Sequence, residues 1–188
     1  MRTVSRHRIA VCALAMLVAS ALAGCAAEQA PAPSPTAAAT DAPVFASDEE
    51  ALAAATKAYA AYLKAGDASG TGQSSMRDAF LALSTGTAHD EDLSADQLFD
   101  DRGWRTVGKT SFDSMRLQSS GRADGGNWEV RTYLCVDVSK SDVVDAEGRS
   151  VVKVDRPLRL PLEVAFVTGS GVDLLISESK VWSGANFC

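Results

Sequence analysis

The sequence predicts an α+β fold in which N-terminal helices pack on one face of a curved antiparallel sheet, in a cone-like arrangement. Two patterns support this class. Apolar residues recur at helical spacing before Gly103 and at every second position after it. The connections between the later segments are short, which favours antiparallel neighbours. Helices followed by antiparallel strands form the α+β layout.

The first helix is predicted over about residues 48–65. Ser47 and Glu50 have the spacing of a capping box, in which each side chain bonds a free backbone N–H group. Gly66 offers a C-terminal stop. The apolar positions at helical spacing are Leu52, Ala55, Tyr59, Tyr62 and Leu63.

Two shorter helices are predicted to follow. One covers about residues 74–84, with Met76, Phe80 and Leu83 as its buried positions. Ser94 and Gln97 repeat the capping-box spacing. We therefore expect the other helix to be short and to end at Gly103.

Strands are predicted over about residues 104–117, 127–140, 150–168 and 172–182. The second strand has the clearest alternation. Its core-facing residues are Trp128, Val130, Thr132, Leu134, Val136 and Val138, and its opposite face holds Glu129, Arg131, Tyr133, Cys135 and Asp137. A hairpin turn is expected at residues 145–148. Pro157 and Pro161 predict that the third strand is irregular, bulged or partly at an edge.

Residues 1–24 are predicted to be a secretory signal peptide. Three arginines precede an apolar run over residues 9–23 that ends in small residues. The run is shorter than the about 20 apolar residues that span a bilayer. The closing sequence, Leu22-Ala23-Gly24-Cys25, resembles a bacterial lipobox, whose cysteine is lipidated before cleavage ahead of it.

Cys25 is accordingly predicted to carry a lipid anchor. A diacylglyceryl group on its sulfur brings two acyl chains, such as palmitate, and two chains hold a protein firmly where one binds only marginally. The alternative is an ordinary secreted protein that is cut after Ala23 or nearby, with Cys25 incidental.

Residues 25–43 form the lipidated cysteine and an Ala/Pro-rich tether that is expected to be disordered. Residues 44–188 have the length of one domain. Without the signal peptide, acidic side chains exceed basic ones by nine. This excess argues against nucleic acid as a partner.

The four cysteines are Cys12, Cys25, Cys135 and Cys188. Cys12 is removed with the signal peptide and Cys25 is assigned to the lipid. Cys135 and Cys188 remain in an oxidising compartment, so one disulfide between them is the simplest expectation. They lack Cys-x-x-Cys spacing and a nearby histidine, and no metal or other cofactor is predicted.

The element order resembles the nuclear transport factor 2-like, or cystatin-like, cone fold, and in particular actinobacterial lipoproteins with such a domain. The features that carry the resemblance are the lipobox at Cys25, Tyr-Ala-Ala-Tyr-Leu at 59–63, Trp-Glu-Val-Arg-Thr-Tyr-Leu-Cys-Val-Asp-Val-Ser at 128–139, and Val-Trp-Ser-Gly-Ala-Asn-Phe-Cys at 181–188. The resemblance implies the fold without an activity, because the family includes isomerases, dehydratases, cyclases and non-catalytic proteins.

An enzyme of this fold would hold a carboxylate or a histidine inside the cone. His89 belongs to an acidic segment, 89–92, that is expected to be a solvated loop. Asp137 is expected to be exposed or ion-paired, and Glu163 and Glu178 to form cross-strand salt bridges. No catalytic residue is assigned, and a non-catalytic role is favoured over an isomerase-like or dehydratase-like enzyme.

Two binding roles are considered beside the enzyme. A small ligand would occupy a pocket in the cone lined by Tyr59, Tyr62, Trp104 and Trp128, unless these side chains fill the core. A protein partner or a second copy would meet the outer sheet face, which carries Arg131, Tyr133, Arg159 and Glu163, and an ordinary solvated face is the alternative. We therefore expect an extracytoplasmic lipoprotein, anchored in the cell membrane, whose domain is a binding or scaffold module at the cell envelope.

Overall fold

The computed structural model describes residues 44–70, 74–123, 126–169 and 173–188. These residues belong to one compact unit. The predicted signal peptide, Cys25 and the predicted tether lie outside the described residues.

The described residues form three helices followed by six strands. The helices are α1 (Asp48–Ser69), α2 (Ser74–Leu81) and α3 (Gly86–Arg102). The strands are β1 (Arg105–Gly108), β2 (Ser111–Arg122), β3 (Trp128–Asp137), β4 (Ser141–Val144), β5 (Arg159–Thr168) and β6 (Leu174–Val181).

The larger sheet has four strands in the order β2-β3-β5-β6, and β1 pairs with β4 in a separate small sheet. All four strand pairings are antiparallel. Helix α1 packs against β2, β3 and β6, and α3 packs against β6. The predicted α+β class, with helices on one face of an antiparallel sheet, is confirmed.

The hydrophobic core lies between α1 and the inner face of the larger sheet. Residues of β3, β5 and β6 fill it, and the fully buried ones include Val130, Leu134, Val164, Phe166 and Ile176. From α1, Ala51 and Ala55 are completely buried, so the helix backbone approaches the sheet closely. The predicted inward face of β3 is therefore confirmed.

The start of α1 keeps one bond of the predicted capping box, and the return bond reaches Ala46 instead of the N-cap Ser47. The backbone N–H of Glu50 donates to Oγ of Ser47 at 3.3 Å, and Oε2 of Glu50 accepts from the N–H of Ala46 at 2.7 Å. The predicted end at Gly66 is wrong, because α1 continues to Ser69. A Cβ atom on Gly66 would lie 3.3 Å from Cε2 of Phe80, so this glycine lets α1 and α2 approach closely.

The predicted positions of the other two helices also need correction. Helix α2 ends at Leu81, and α3 begins at Gly86, well before Ser94. Ser94 lies inside α3, where its hydroxyl donates to the carbonyl of Asp90 at 2.7 Å and caps nothing. The acidic segment 89–92 is helical rather than a loop.

The predicted strand over 104–117 is two strands that lie in different sheets. The first one, β1, ends at Gly108, whose φ of 87° is in the region that favours glycine. Beyond it, the N–H of Thr110 donates to both carboxylate oxygens of Asp67 at 3.2 Å. The short strand β4, which pairs with β1, was not predicted. The predicted turn at 145–148 is confirmed, since the N–H of Gly148 donates to the carbonyl of Asp145 at 3.0 Å.

The predicted third strand is shorter than expected. It begins at Arg159, so Pro157 precedes it, and Pro161 lies inside the central strand β5 rather than at an edge. The carbonyl of Pro161 accepts from the N–H of Trp182 at 2.8 Å, just beyond the last residue of β6. The ring nitrogen of Pro161 faces the same side, so its missing N–H lies beyond Val181, the last residue of β6, and removes no bond to a residue of that strand. The expected irregularity occurs between Ala165 and Phe166, where the register with β6 shifts.

Candidate functional site

The outer face of the larger sheet, opposite α1, is the first candidate surface. Strand alternation places Glu129, Arg131, Tyr133, Cys135 and Asp137 of β3 on this face. The register brings Glu163 of β5 level with Tyr133, and Arg159 level with Asp137. The outer residues proposed from the sequence, Arg131, Tyr133, Arg159 and Glu163, therefore share one face.

Arg131 lies at the centre of an ion-pair network on the outer face. Its Nε is 2.7 Å from Oε1 of Glu129, and its guanidinium nitrogens are 3.3 Å from Glu178 and 3.7 Å from Glu163. Lys180 also pairs with Glu178. These donors hold the pKa of Glu178 below its ordinary value, with the hydrogen bond from Lys180 as the main cause and that from Arg131 as a further one. The expected salt bridges of Glu163 and Glu178 are confirmed.

Arg159 forms a second charged cluster on the outer face. Its guanidinium bonds both carboxylate oxygens of Asp113, at 2.8 and 2.9 Å, and lies 3.4 Å from Asp137. The Arg159 hydrogen bond lowers the pKa of Asp113, whereas hydrogen bonds from Ser139 are the main cause of the lowered pKa of Asp137. Asp137 is therefore ion-paired, as the sequence predicted.

The C-terminal segment, residues 182–188, lies across the outer face. A disulfide joins Cys188 to Cys135, whose Cα atoms are 5.6 Å apart, as the sequence predicted. The rings of Trp182 and Phe187 both meet the ring of Tyr133 edge-on, at 5.1 and 6.1 Å. The guanidinium of Arg116 lies 5.3 Å from the centre of the Phe187 ring. The segment and its disulfide leave Cys135 only 1% exposed.

The second candidate site is a cavity among the three helices, which we call the helical pocket. It has a volume of about 180 Å³ and lies where the end of α1 meets α2, α3 and β1. The lining residues that matter for its chemistry are Arg77, Phe80, Asp92, Asp96, Phe99, Asp100 and Trp104. Gly70 belongs to its wall, and a Cβ atom there would lie 2.7 Å from Cβ of Thr106. The glycine therefore allows α1 to end against β1.

Asp92 connects the helical pocket to the core. Its Oδ1 accepts a hydrogen bond from the hydroxyl of Tyr62 at 2.5 Å. Its Oδ2 is buried and has no hydrogen-bond partner among the described residues. Burial raises the pKa of Tyr62, and the hydrogen bond and the charge of Asp92 raise it further. Tyr62 therefore stays a neutral donor, and one oxygen of Asp92 stays without a donor.

Arg77 pairs with the other two carboxylates of the helical pocket. Its Nε lies 2.7 Å from Asp96, and its terminal nitrogen lies 2.6 Å from Asp100. These acids follow Asp92 at intervals of four residues along α3, so all three share one helix face. Arg77 therefore joins α2 to α3 through Asp96 and Asp100, and its described ion pairs do not include Asp92.

The structure does not bring together the four residues predicted to line a pocket in the cone. Tyr59 is 2% exposed in the core, where its ring meets that of Phe112 edge-on at 4.9 Å. Tyr62 stacks between Tyr59 and Phe80, at 6.0 and 5.0 Å. Trp128 packs at the edge of the core and donates from Nε1 to Ser120 at 3.0 Å. Trp104 alone of the four lines the helical pocket.

His89 is held in α3 rather than in a solvated loop. Its Nδ1 lies 3.0 Å from the carbonyl oxygen of Leu81, and its side chain is half-buried. This contact ties α3 to the end of α2, so the residue has a structural partner. Within the described ranges, no group of three or more acidic, histidine or cysteine side chains is arranged to hold a metal ion.

The helical pocket was not predicted from the sequence. The regular spacing of Asp92, Asp96 and Asp100 was the available signal, and it becomes visible only if α3 is extended back to Gly86. Arg77 gave no local signal, because its partners are 19 and 23 residues away in the chain.

No family model matches the chain, and no curated protein matches it. Among solved structures, the intermembrane space region of the chloroplast protein ARC6 is similar over 71% of this chain and 97% of its own, at 10% identity and a TM-score of 0.49. A periplasmic fragment of TraM covers 72% of this chain and 96% of its own, at 14% identity and a TM-score of 0.47. Aln2 from a Streptomyces species covers 71% of this chain and 89% of its own, at 20% identity and a TM-score of 0.39. In the described part of the chain, every helix is too short or too polar to cross a bilayer.

Proposed function

We propose that the chain is a lipid-anchored lipoprotein of the cell envelope, whose α+β domain acts outside the cytoplasm as a non-catalytic binding module. The disulfide between Cys135 and Cys188 is the observation that carries this proposal. Such bonds persist in oxidising compartments and are rare in the cytosol. The sequence Leu22-Ala23-Gly24-Cys25 supplies the matching export and lipidation signal.

The outer sheet face is the surface that we assign to binding. The chain without its signal peptide carries nine more acidic than basic side chains, so two copies of the chain repel each other overall. The outer face is nearly balanced in charge. Its acids are Asp113, Glu129, Asp137, Glu163 and Glu178, and its bases are Arg116, Arg131, Arg159 and Lys180. Association through this face therefore carries little net repulsion.

A second copy of the chain is the partner that this face fits. Each of Arg131 and Arg159 lies between acids, so a two-fold interface can set the bases of one copy against the acids of the other. The aromatic cluster of Tyr133, Trp182 and Phe187 lies between the two charged clusters and supplies apolar contact area.

Fractionation of a bacterial host that exports the full chain tests the anchor. We expect the chain in the membrane fraction, with incorporation of labelled palmitate. Cys25→Ser should abolish the label and move the chain to the soluble fraction. Cys12→Ser is the matched control and should leave both results unchanged. A Cys25→Ser chain that stays in the membrane fraction would contradict the lipid anchor.

The mass of the exported Cys25→Ser chain, measured by light scattering over a range of concentrations, tests the second copy. We expect the mass to rise with concentration, and Arg116→Glu to prevent the rise because it adds an acid beside Phe187. Lys57→Glu makes the same charge change on the exposed side of α1 and should have little effect. A constant monomer mass, or equal effects of the two variants, would reject self-association through this face and leave the anchor as a separate result.

A further inference from the structure

The helical pocket is distinct from the outer face and has no role in the function proposed above. We propose that it binds a small organic cation, an ammonium group carried on an apolar body of about one ring. Asp92 would hold the ammonium group, and the aromatic side chains of the pocket would hold the apolar body.

One carboxylate oxygen of Asp92 supports the binding of a cation. A buried carboxylate oxygen without a donor is costly, and native structures rarely keep one. Tyr62 occupies Oδ1 and leaves Oδ2 without a partner in the described part of the chain. An ammonium group is a donor that also carries the opposite charge. Because Oδ2 is closed to water in the structure, the carboxylate would rotate to present it to the ammonium group.

The charge of the pocket lining also favours a cation. Three carboxylates line the helical pocket, and Arg77 is the one basic side chain among the lining residues. Arg77 is already hydrogen-bonded to Asp96 and Asp100. The lining thus keeps an excess of negative charge that a cation lowers and an anion raises.

Aromatic side chains form one wall of the helical pocket. Phe80, Phe99 and Trp104 line the pocket, and the rings of Phe99 and Trp104 meet edge-on at 6.1 Å. Aromatic faces attract cations and also pack against apolar ligand surface. The guanidinium of Arg102 lies 5.6 Å from the Trp104 ring centre, so one face of this indole already accepts a cation.

The size of the pocket limits the ligand. Its volume of about 180 Å³ is below the range of about 300–1,000 Å³ that is typical of pockets for drug-sized ligands. A ligand of one ring with a short ammonium arm is therefore the largest class that we assign. A single trapped water is the competing occupant, because water also supplies a donor to a buried oxygen.

Calorimetric titration of the full chain in detergent with benzylammonium is the experiment. Benzyl alcohol has the same ring without the charge, and benzoate has the opposite charge. We expect saturable binding of benzylammonium, at least tenfold weaker binding of benzyl alcohol, and no binding of benzoate. No saturable binding of the cation would reject the proposal in favour of a water-filled cavity. Equal binding of the cation and the alcohol would reject the role of the charge on Asp92.

Two variants locate the site. Asp92→Asn keeps an acceptor for Tyr62 and removes the charge, and we expect it to weaken benzylammonium binding at least tenfold. Asp155→Asn makes the same charge change on an exposed loop and should bind like the unchanged chain. Trp104→Leu should also weaken binding and abolish any fluorescence change caused by the ligand, which keeps the test decisive if Asp92→Asn does not fold. Unchanged binding in Trp104→Leu, or equal weakening by Asp92→Asn and Asp155→Asn, would overturn the assignment.

Discussion

The hydroxyl of Tyr62 donates a 2.5 Å hydrogen bond to Oδ1 of Asp92 and thereby joins α1 to α3 across 30 residues of sequence. The Tyr62 ring also stacks on Tyr59 of the core and on Phe80 of α2. One side chain thus connects the hydrophobic core to the wall of the helical pocket. Tyr62 therefore contributes both to the stability of the helical layer and to the hydrogen bonding of the pocket.

Replacement of Tyr62 by Phe is expected to lower the free energy of unfolding by about 1–2 kcal/mol. The ring contacts remain, but both oxygens of Asp92 then lack a donor, and a buried acceptor without a partner costs about that much. Urea unfolding measures the loss. Tyr133→Phe, on the outer face, is the control and should cost less than half as much. Equal losses in the two variants would contradict the role of the Tyr62 hydrogen bond.

The same residue predicts a loss of stability in alkali. Burial raises the pKa of Tyr59 and Tyr62 in the folded chain above the ordinary tyrosine value of 10.0. A raised folded pKa means that the stabilisation is complete below pH 10 and is lost as the pH rises above it. Unfolding midpoints should therefore fall between about pH 10 and 11.5, and they should fall less steeply in Tyr62→Phe. A pH-independent midpoint in this window would contradict the burial of these hydroxyls.

Gly108→Ala is expected to cost at least about 2 kcal/mol of folding free energy. Gly108 has a φ of 87°, and a Cβ atom there would lie 2.1 Å from the carbonyl oxygen of Lys140 on the partner strand segment. Gly121→Ala is the matched control, because its Cβ position has no heavy atom within 4 Å. Thermal unfolding of both variants checks the prediction. A loss in Gly108→Ala as small as that in Gly121→Ala would show that the β1–β4 pairing tolerates the side chain.

The glycines show how far sequence patterns predict this fold. The inward face of β3 was predictable, because alternation is local and each position reports its own burial. Gly108 was not recognised as a break, since its effect depends on Lys140 and on the bond between Thr110 and Asp67, 43 residues apart. Gly66 looks like a helix end in the sequence, because a glycine that admits Phe80 has the same local appearance as a stop. Contacts between residues far apart in the chain determine the role of both glycines. The helical pocket also depends on such contacts, so local patterns do not predict it.

Arg159→Gln is expected to raise the pKa of Asp113 toward its ordinary value. The hydrogen bond from Arg159 is the largest cause of the lowered pKa of Asp113 in the folded chain. A lowered folded pKa gives stabilisation that is present above the ordinary value of about 3.8 and is lost as the pH falls below it. Carboxyl carbon shifts followed by NMR from about pH 6 to pH 2 report the pKa directly.

Arg149→Gln is the control for Arg159→Gln. Asp145 also has a lowered pKa, but its largest cause is the backbone N–H of residue 149, which the substitution keeps. We therefore expect the pKa of Asp145 to stay below its ordinary value in Arg149→Gln, whereas that of Asp113 rises in Arg159→Gln. An unchanged pKa of Asp113 would show that the Arg159–Asp113 pair does not persist in solution.

The disulfide between Cys135 and Cys188 holds the C-terminus to β3. The bond closes a loop with a sequence separation of 53, for which the chain-entropy relation gives about 4 kcal/mol of stabilisation. Cys188→Ala should therefore lower the melting temperature by roughly 10 °C.

Cys188→Ala should also release the C-terminal segment, whose Phe187 and Trp182 rings lie on Tyr133. Carboxypeptidase should then remove residues from the variant, and from the reduced chain, much faster than from the oxidised chain. A reducing agent should have no further effect on Cys188→Ala, because the bond is already absent. Equal digestion of the oxidised and reduced chains would show that ring packing alone holds the segment, and the disulfide would then contribute stability without fixing the C-terminus on the outer face.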